Sequence, residues 1–210
     1  MYIHIFVANI KNMKNILSTL FALALSVAVM AGGPKATTYK VDNDLSSLEW
    51  VGKKVSGAHN GSIKLKDGEV VVENGMISTG TITIDMQTIT VEDIKDAETN
   101  AKLKGHLMSP DFFGVEEHQT AVLKINSVSH KEGDTYIIHG ELTIKGITHP
   151  IEIPTTVKME GKKLVAIGEA NIDRTKYSIK YGSGKFFEGL GDRMIYDEFT
   201  VKFKVGAIQG

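Results

Sequence analysis

Cysteine is absent from the chain of 210 residues, and proline occurs only four times. Without cysteine there are no structural disulfides, no thiol nucleophile and no lipid attachment at an N-terminal cysteine, so stability must come from a packed core. A hydrophobic fraction of 42% with so little proline belongs to an ordinary globular protein, not to a disordered or fibrous one. Also missing is an apolar run of the roughly 20 residues that a membrane-spanning helix needs. The longest run, Ile16 to Met30, falls short of that length. It follows Lys14 and ends in Val29-Met30-Ala31, with small residues at the positions that precede signal cleavage. Residues 1–31 are therefore expected to be a secretory signal peptide, with Met13 as an alternative start, and residues 32–210 one exported domain with no stable membrane span.

Neither sign of charge is in excess. Of the 24 basic residues, Lys11 and Lys14 lie in the signal stretch together with none of the 25 acidic ones, which leaves 22 against 25 and a net charge near −3 for the exported part. That balance argues against a nucleic-acid partner, which wants a basic surface. It argues equally against adsorption to anionic membrane. Catalytic constellations are lacking too: there is no G-x-S-x-G elbow and no carboxylate pair spaced for acid and base roles, so the chain reads as a non-enzyme. Gly182-Ser183-Gly184-Lys185 fails as a phosphate loop, because Ile179 and Phe186 stand where the motif needs glycine and Ser or Thr. The histidines His59, His106, His118, His130, His139 and His149 form no H-x-H or H-E-x-x-H, so no metal or cofactor is assigned.

What the sequence does have is alternation. From Leu48 onward apolar side chains recur at every second position, the mark of strands with one buried face. Leu48 and Trp50 share a face, as do Ile63 and Leu65, Met76, Ile82, Ile84 and Met86, and Leu123 and Ile125. Further on, so do Tyr136, Ile138, Leu142 and Ile144; Ile151, Ile153, Val157 and Met159; Leu164, Ala166, Ala170 and Ile172; and Phe199, Val201, Phe203 and Val205. Asp67-Gly68, Asn74-Gly75, Gly133-Asp134 and Gly161 between the runs are turn residues. This is an up-and-down meander. Its apolar face is hidden either by a sandwich or by closure into an all-β antiparallel barrel of about eight strands, and closure also removes the edges.

Two segments break the pattern, each longer than a compact domain usually leaves between strands. Residues 87–119 hold a helix expected near Asp93 to Leu107 and then Pro110-Asp111-Phe112-Phe113-Gly114. Arg174 to Met194 holds Tyr177, Tyr181, Phe186 and Phe187. Glycines Gly80, Gly140 and Gly168, with Ala166 and Ala170, fall on inward positions, where they either leave room for a ligand or relieve strain at bends. The Phe-Phe pairs suit either a lid over apolar cargo or a plug that closes the barrel end. Trp50, Ile84, Tyr136, Leu142 and Ile144 point inward as candidate ligand contacts. Phe112, Phe113, Phe186 and Phe187 join them from the connections. His106 is a candidate for a polar head group or a backbone hydrogen bond, and Arg174 for an anionic head group or a buried salt bridge.

Three stretches in order, Gly105-His106-Leu107-Met108-Ser109-Pro110-Asp111-Phe112-Phe113, Gly140-Glu141-Leu142-Thr143-Ile144-Lys145-Gly146-Ile147-Thr148 and Ile172-Asp173-Arg174-Thr175-Lys176-Tyr177, resemble the best-marked stretches of the YceI-like family of polyisoprenoid-binding proteins. The resemblance spans about Tyr39 to Val205. The long second break is similar to a subgroup from Bacteroidetes-type bacteria. The resemblance implies an extended lipocalin-like barrel, secretion to the periplasm, and an isoprenoid lipid of the quinone or polyprenyl phosphate class in an internal tunnel. It carries His106, Phe112, Phe113, Leu142, Ile144 and Arg174 over as site positions. Trp50, His59 and the Gly182 to Gly191 loop match no ligand contact of the wider family. The competing readings are a metal- or haem-binding stress protein and a packed accessory barrel with a protein partner. The oligomeric state stays open, a homodimer included.

Overall fold

Strands that are apolar on one face must turn that face inward, and here the sheet does so by closing on itself. The structure, a computed structural model, describes residues 35–210; the expected signal peptide and the alternative start at Met13 lie outside the described residues. Eight antiparallel strands follow in chain order: β1 (Thr37–Lys54), β2 (Gly57–Glu73), β3 (Met76–Asp85), β4 (Thr120–Glu132), β5 (Thr135–Ile144), β6 (Ile147–Glu160), β7 (Lys163–Asp173) and β8 (Ile195–Gln209). Each pairs with its sequence neighbours and β8 pairs back onto β1, so the expected all-β, lipocalin-like barrel is closed. Among the described residues the one α-helix, α1 (Ala97–Met108), lies between β3 and β4.

Turn chemistry accounts for the hairpins. Asn74-Gly75 joins β2 to β3 and Lys145-Gly146 joins β5 to β6; all four residues have positive φ, between 51° and 78°, the two-residue geometry whose twist suits the flanking strands. Asp67-Gly68, expected as a turn, lies instead within β2. The β2–β3 ladder slips between Leu65 and Asp67, and the strand bends there without ending. A side chain at Gly68 would meet Val41 at 2.8 Å, so the bend requires glycine. A second slip at Ser78 flips the parity of the start of β3. Ile77 is buried as a result, and Met76, expected inward, is exposed. Met159, also expected inward, is exposed because it lies where β6 runs out at its end.

The barrel has two unlike ends. The lower one carries the short β2–β3, β4–β5 and β6–β7 turns and is filled by Tyr39, Val72, Leu164 and Ala207, all buried. The upper one carries the β1–β2 and β5–β6 hairpins and both long connections.

The first connection is zipped onto β2, which outlasts β3. Thr90 N–H donates to the Ser62 carbonyl and Glu92 N–H to that of Asn60, both at 2.9 Å. The Thr88 and Thr90 hydroxyls accept from the Lys64 and Ser62 amides at 2.9 Å. Gly61 makes the approach feasible, since a Cβ there would overlap the Thr90 carbonyl. The helix starts at Ala97, later than the sequence suggests, because Asp96 is its cap and accepts from Thr99 N–H at 2.9 Å. Asp93 is engaged elsewhere, 2.8 Å from His59 Nδ1 and accepting from Asn60 N–H at 3.1 Å.

The wall has one upper seam. β6 and β7 pair only from Thr155 and Gly168 downward. Above that point β6 carries Pro150 and Pro154, which have no N–H to leave unpaired. Tyr177, buried after β7, fills the seam edge-on to His149, whose Nε2 donates to the Lys176 carbonyl at 3.0 Å.

Candidate ligand-binding site

The inward faces of the strands do not meet at the axis. They leave an upper cavity of about 120 Å³ and a lower one of about 110 Å³. Leu48, Ile84, Leu142, Ile172 and Val201, from β1, β3, β5, β7 and β8, line both and form a girdle between them. Each chamber approaches the ~150 Å³ that holds a small aromatic molecule in an apolar core. From Leu164 to Arg174 the interior runs roughly 25 Å, taking about 3.3 Å per strand residue and a tilt near 40°.

The lower chamber is bounded by aliphatic side chains such as Val70, Ile77, Ile138 and Ile153, together with Ala166, Ala170 and Phe203. Gly80, Gly140 and Gly168, one reading of which was room for ligand, line neither chamber. A Cβ on them would stand 2.5 to 2.8 Å from carbonyl oxygens of the next strand, so they let strands pack closely where the barrel coils.

The upper chamber is built by strands and connections together. Trp50 presents its ring and donates Nε1–H to the Thr90 carbonyl at 3.0 Å, so no polar group is left unpaired. Phe113 packs edge-on against Phe199 at 6.0 Å. Phe112 packs at 4.9 Å against His106, which in turn lies 4.4 Å from Tyr181 and so joins the two long connections. Polar side chains enter the lining only near the top, as Lys53, Arg174, Tyr196 and Glu198.

Arg174 is 4% exposed and has little left to offer a ligand. Its Nε donates to the Tyr196 carbonyl at 3.1 Å, Nη1 to those of Ile179 and Tyr181 at 2.9 and 2.8 Å, and Nη2 to that of Ile195 at 3.1 Å. Nη2 also lies 3.9 Å from Asp197 Oδ1. The side chain thus organises the second connection, using the guanidinium as a hub for main-chain carbonyls of that connection and of the start of β8. Burial lowers the Arg174 pKa below its usual value, while Asp197 and Asp173 act in the opposite direction. Burial also acts to raise the Asp173 pKa, but hydrogen bonds from Thr175 and Lys185 outweigh it and hold the carboxyl below its usual range.

Of the positions singled out from sequence, Trp50, Ile84, Phe112, Phe113, Leu142, Ile144 and Arg174 line the upper chamber. Four do not line either chamber. His106 stands behind Phe112, and Tyr136 lies at the lower end against His130 at 5.3 Å. Phe186 and Phe187 are 46% and 49% exposed, because the buried Ser183 takes the inward place in their turn. Leu48, Ile63, Ile172, Phe199 and Val201 also line the chamber and share the inward parity of their strands, so alternation alone could have found them. Ile195, at the start of β8, continues the parity of Phe199 and Val201, whereas Ile179 reaches the chamber from the second connection, where no periodicity marks it. Among the described residues no three His, Asp or Glu side chains are grouped to hold a metal ion, and no helix is long and apolar enough to cross a membrane.

A closed antiparallel barrel around a long apolar interior, with two long connections over one end, is of the lipocalin-like class. Within that class the sequence matches the YceI-like domain over residues 39–207, and the chain belongs to that family. UPF0312 proteins of Azotobacter vinelandii and Pseudomonas putida are 28% identical over 149 residues, which is 69% of this chain and 74% of theirs. Among solved structures, BcnA of Burkholderia cenocepacia superimposes with a TM-score of 0.63 at 22% identity, over 79% of this chain and 98% of BcnA. A polyisoprenoid binding domain from Saccharophagus degradans, implicated in plant cell wall breakdown, superimposes with a TM-score of 0.61 at 13% identity, over 83% and 99% of the two chains. At these identities the structures share the fold.

Proposed function

We propose that the protein binds an isoprenoid-type lipid inside the barrel and carries it without chemical change. The observation behind this reading is the interior itself: two apolar chambers in line, long and narrow, with polar side chains only at the upper end. Sheltering an apolar chain from water is worth about 0.8 kcal/mol per CH₂, which is enough to hold a long chain without a polar anchor. Membership of the YceI-like family supports the same reading, as does the shared fold of the Saccharophagus domain described as polyisoprenoid binding.

Between the two head groups that the family resemblance implies, a neutral quinone fits better than a polyprenyl phosphate. The Arg174 donors are already directed at backbone carbonyls, and the other cation in the lining, Lys53, is exposed at the mouth. The tail occupies the chambers and the head sits beside Trp50 and Phe112. The protein acts in the periplasm after removal of residues 1–31, a step checked by the N-terminal sequence of the protein recovered from that compartment.

Native mass spectrometry of the protein from its own envelope, without detergent exchange, tests the reading. A bound mass matching a quinone or polyprenyl species is expected. An unliganded mass in every preparation, with no lipid in an organic extract, overturns it. Filling the girdle by Leu142→Trp should leave only shorter-chain species bound.

A further inference from the structure

The aromatic pair that does not face the cavity is held in a fixed place facing solvent. Its turn is anchored from within by Ile179 and Ser183, both 0% exposed, and the Phe186 and Phe187 amides both donate to the Ser183 carbonyl at 3.1 Å. The same segment is tied to the β1–β2 tip, since Val55 N–H donates to the Met194 carbonyl at 3.1 Å. Of the nine large hydrophobic side chains exposed among the described residues, Val55, Tyr181, Phe186, Phe187 and Tyr196 gather at this upper rim.

Two further features fix what the rim suits. Although the exported chain is slightly acidic, and Arg174 is buried while Lys185 is paired with Asp173 and Asp197 at 3.2 and 3.3 Å, residues 174–194 still present Lys176, Lys180 and Arg193 to solvent against Glu188 and Asp192. Lys180 Nζ stands 5.0 Å from the Phe186 ring centre, a cation level with an aromatic tip. The upper chamber also comes to the surface here, where the β1–β8 ladder slips between Gly52 and Lys54 and the exposed Lys53, Tyr196 and Glu198 join its lining.

We propose that this rim is a docking surface for a lipid bilayer with anionic head groups, and that the upper chamber exchanges its ligand there; the second half rests on the lipid-binding reading above. Phe186 and Phe187 enter the boundary between head groups and acyl chains while Lys176 and Lys180 remain among the phosphates, the arrangement by which amphipathic surfaces bind reversibly. The acidic remainder of the molecule keeps the contact local.

The cysteine-free sequence allows a direct test. A polarity-sensitive fluorophore is placed on Phe187→Cys and, in a second protein, on Met159→Cys at the lower end. Both full-length proteins are mixed with vesicles of phosphatidylethanolamine containing about one quarter phosphatidylglycerol. The emission at position 187 should shift to the blue and be quenched by brominated lipid, with no change at 159. Phe186→Ser with Phe187→Ser should lower the vesicle-bound fraction about tenfold. No response at 187, an equal response at both ends, or unchanged binding by the double variant overturns the proposal. So does a change confined to the sedimentation of the double variant, which would assign the rim to a second copy of the chain. Native mass spectrometry separates the two readings: a protein that docks yet never holds lipid leaves docking standing and removes the carrier reading. One that holds lipid but does not dock removes docking alone.

Discussion

The chain contains the same dipeptide twice, and the two copies have opposite fates. Phe112-Phe113 turns into the barrel and lines the upper chamber, whereas Phe186-Phe187 turns out into solvent. Both follow a turn in a long connection at the same end of the barrel. The difference lies in what precedes and follows them. After α1 the amides of Phe112 and Gly114 donate to the Ser109 carbonyl and that of Phe113 to Leu107, and Gly114 at φ 55° folds the chain back under the helix. In the second connection Ser183 and Ile179 already occupy the interior, so the phenylalanines have nowhere to go but out. Hydrophobic content alone therefore does not decide burial; the local backbone route does.

The sharpest break in this comparison is truncation. Phe112→Ala should cost about 3–5 kcal/mol in chemical denaturation, and Phe186→Ala no more than about 0.5. Equal losses would mean that the outer pair also packs. Next comes the hub. Arg174→Met leaves four carbonyls without their donor, and a loss of about 2–4 kcal/mol is expected. Hydrogen exchange should quicken across residues 174–194 while residues 86–119 stay protected. Smaller again is Gly114→Ala, which forces a side chain to a positive φ and should cost about 1–2 kcal/mol, read as a lower melting temperature. The finest test is acid. Because the folded state holds Asp173 below its usual pKa, that carboxylate contributes stability present above its unfolded pKa, near 4, and lost as pH falls through the lower folded value. Amide signals of Thr175 and Lys185 should then shift before those around Phe112. Asp173→Asn should remove that early step.

How far the sequence could be read follows from the same physics. Strand count and closure were legible because side-chain alternation has one period and each strand has one apolar face, as in Ile138, Leu142 and Ile144 of β5. Parity failed at Met76 because the slip at Ser78 adds a residue that alternation cannot register. Asp67-Gly68 has turn chemistry, but the bend it makes stays inside a strand. The inner half of the candidate site was legible wherever a strand carries it, as with Trp50 and Leu142. Ile179 was not, since its placement depends on the carbonyls that Arg174 gathers across the second connection. For Arg174, sequence left an anionic ligand and a buried salt bridge open; the structure gives it mainly to the main chain.

One feature of the barrel gives any occupant a direction. Tyr39, Val72, Leu164 and Ala207 are packed across the lower end, while the lining of the upper chamber reaches the exposed Lys53 and Tyr196 at the other. On the carrier reading proposed above, a long molecule enters the barrel tail first and leaves it head first. Whatever receives it always meets the same end, and that polarity is set by where the hairpins are short and where they are long.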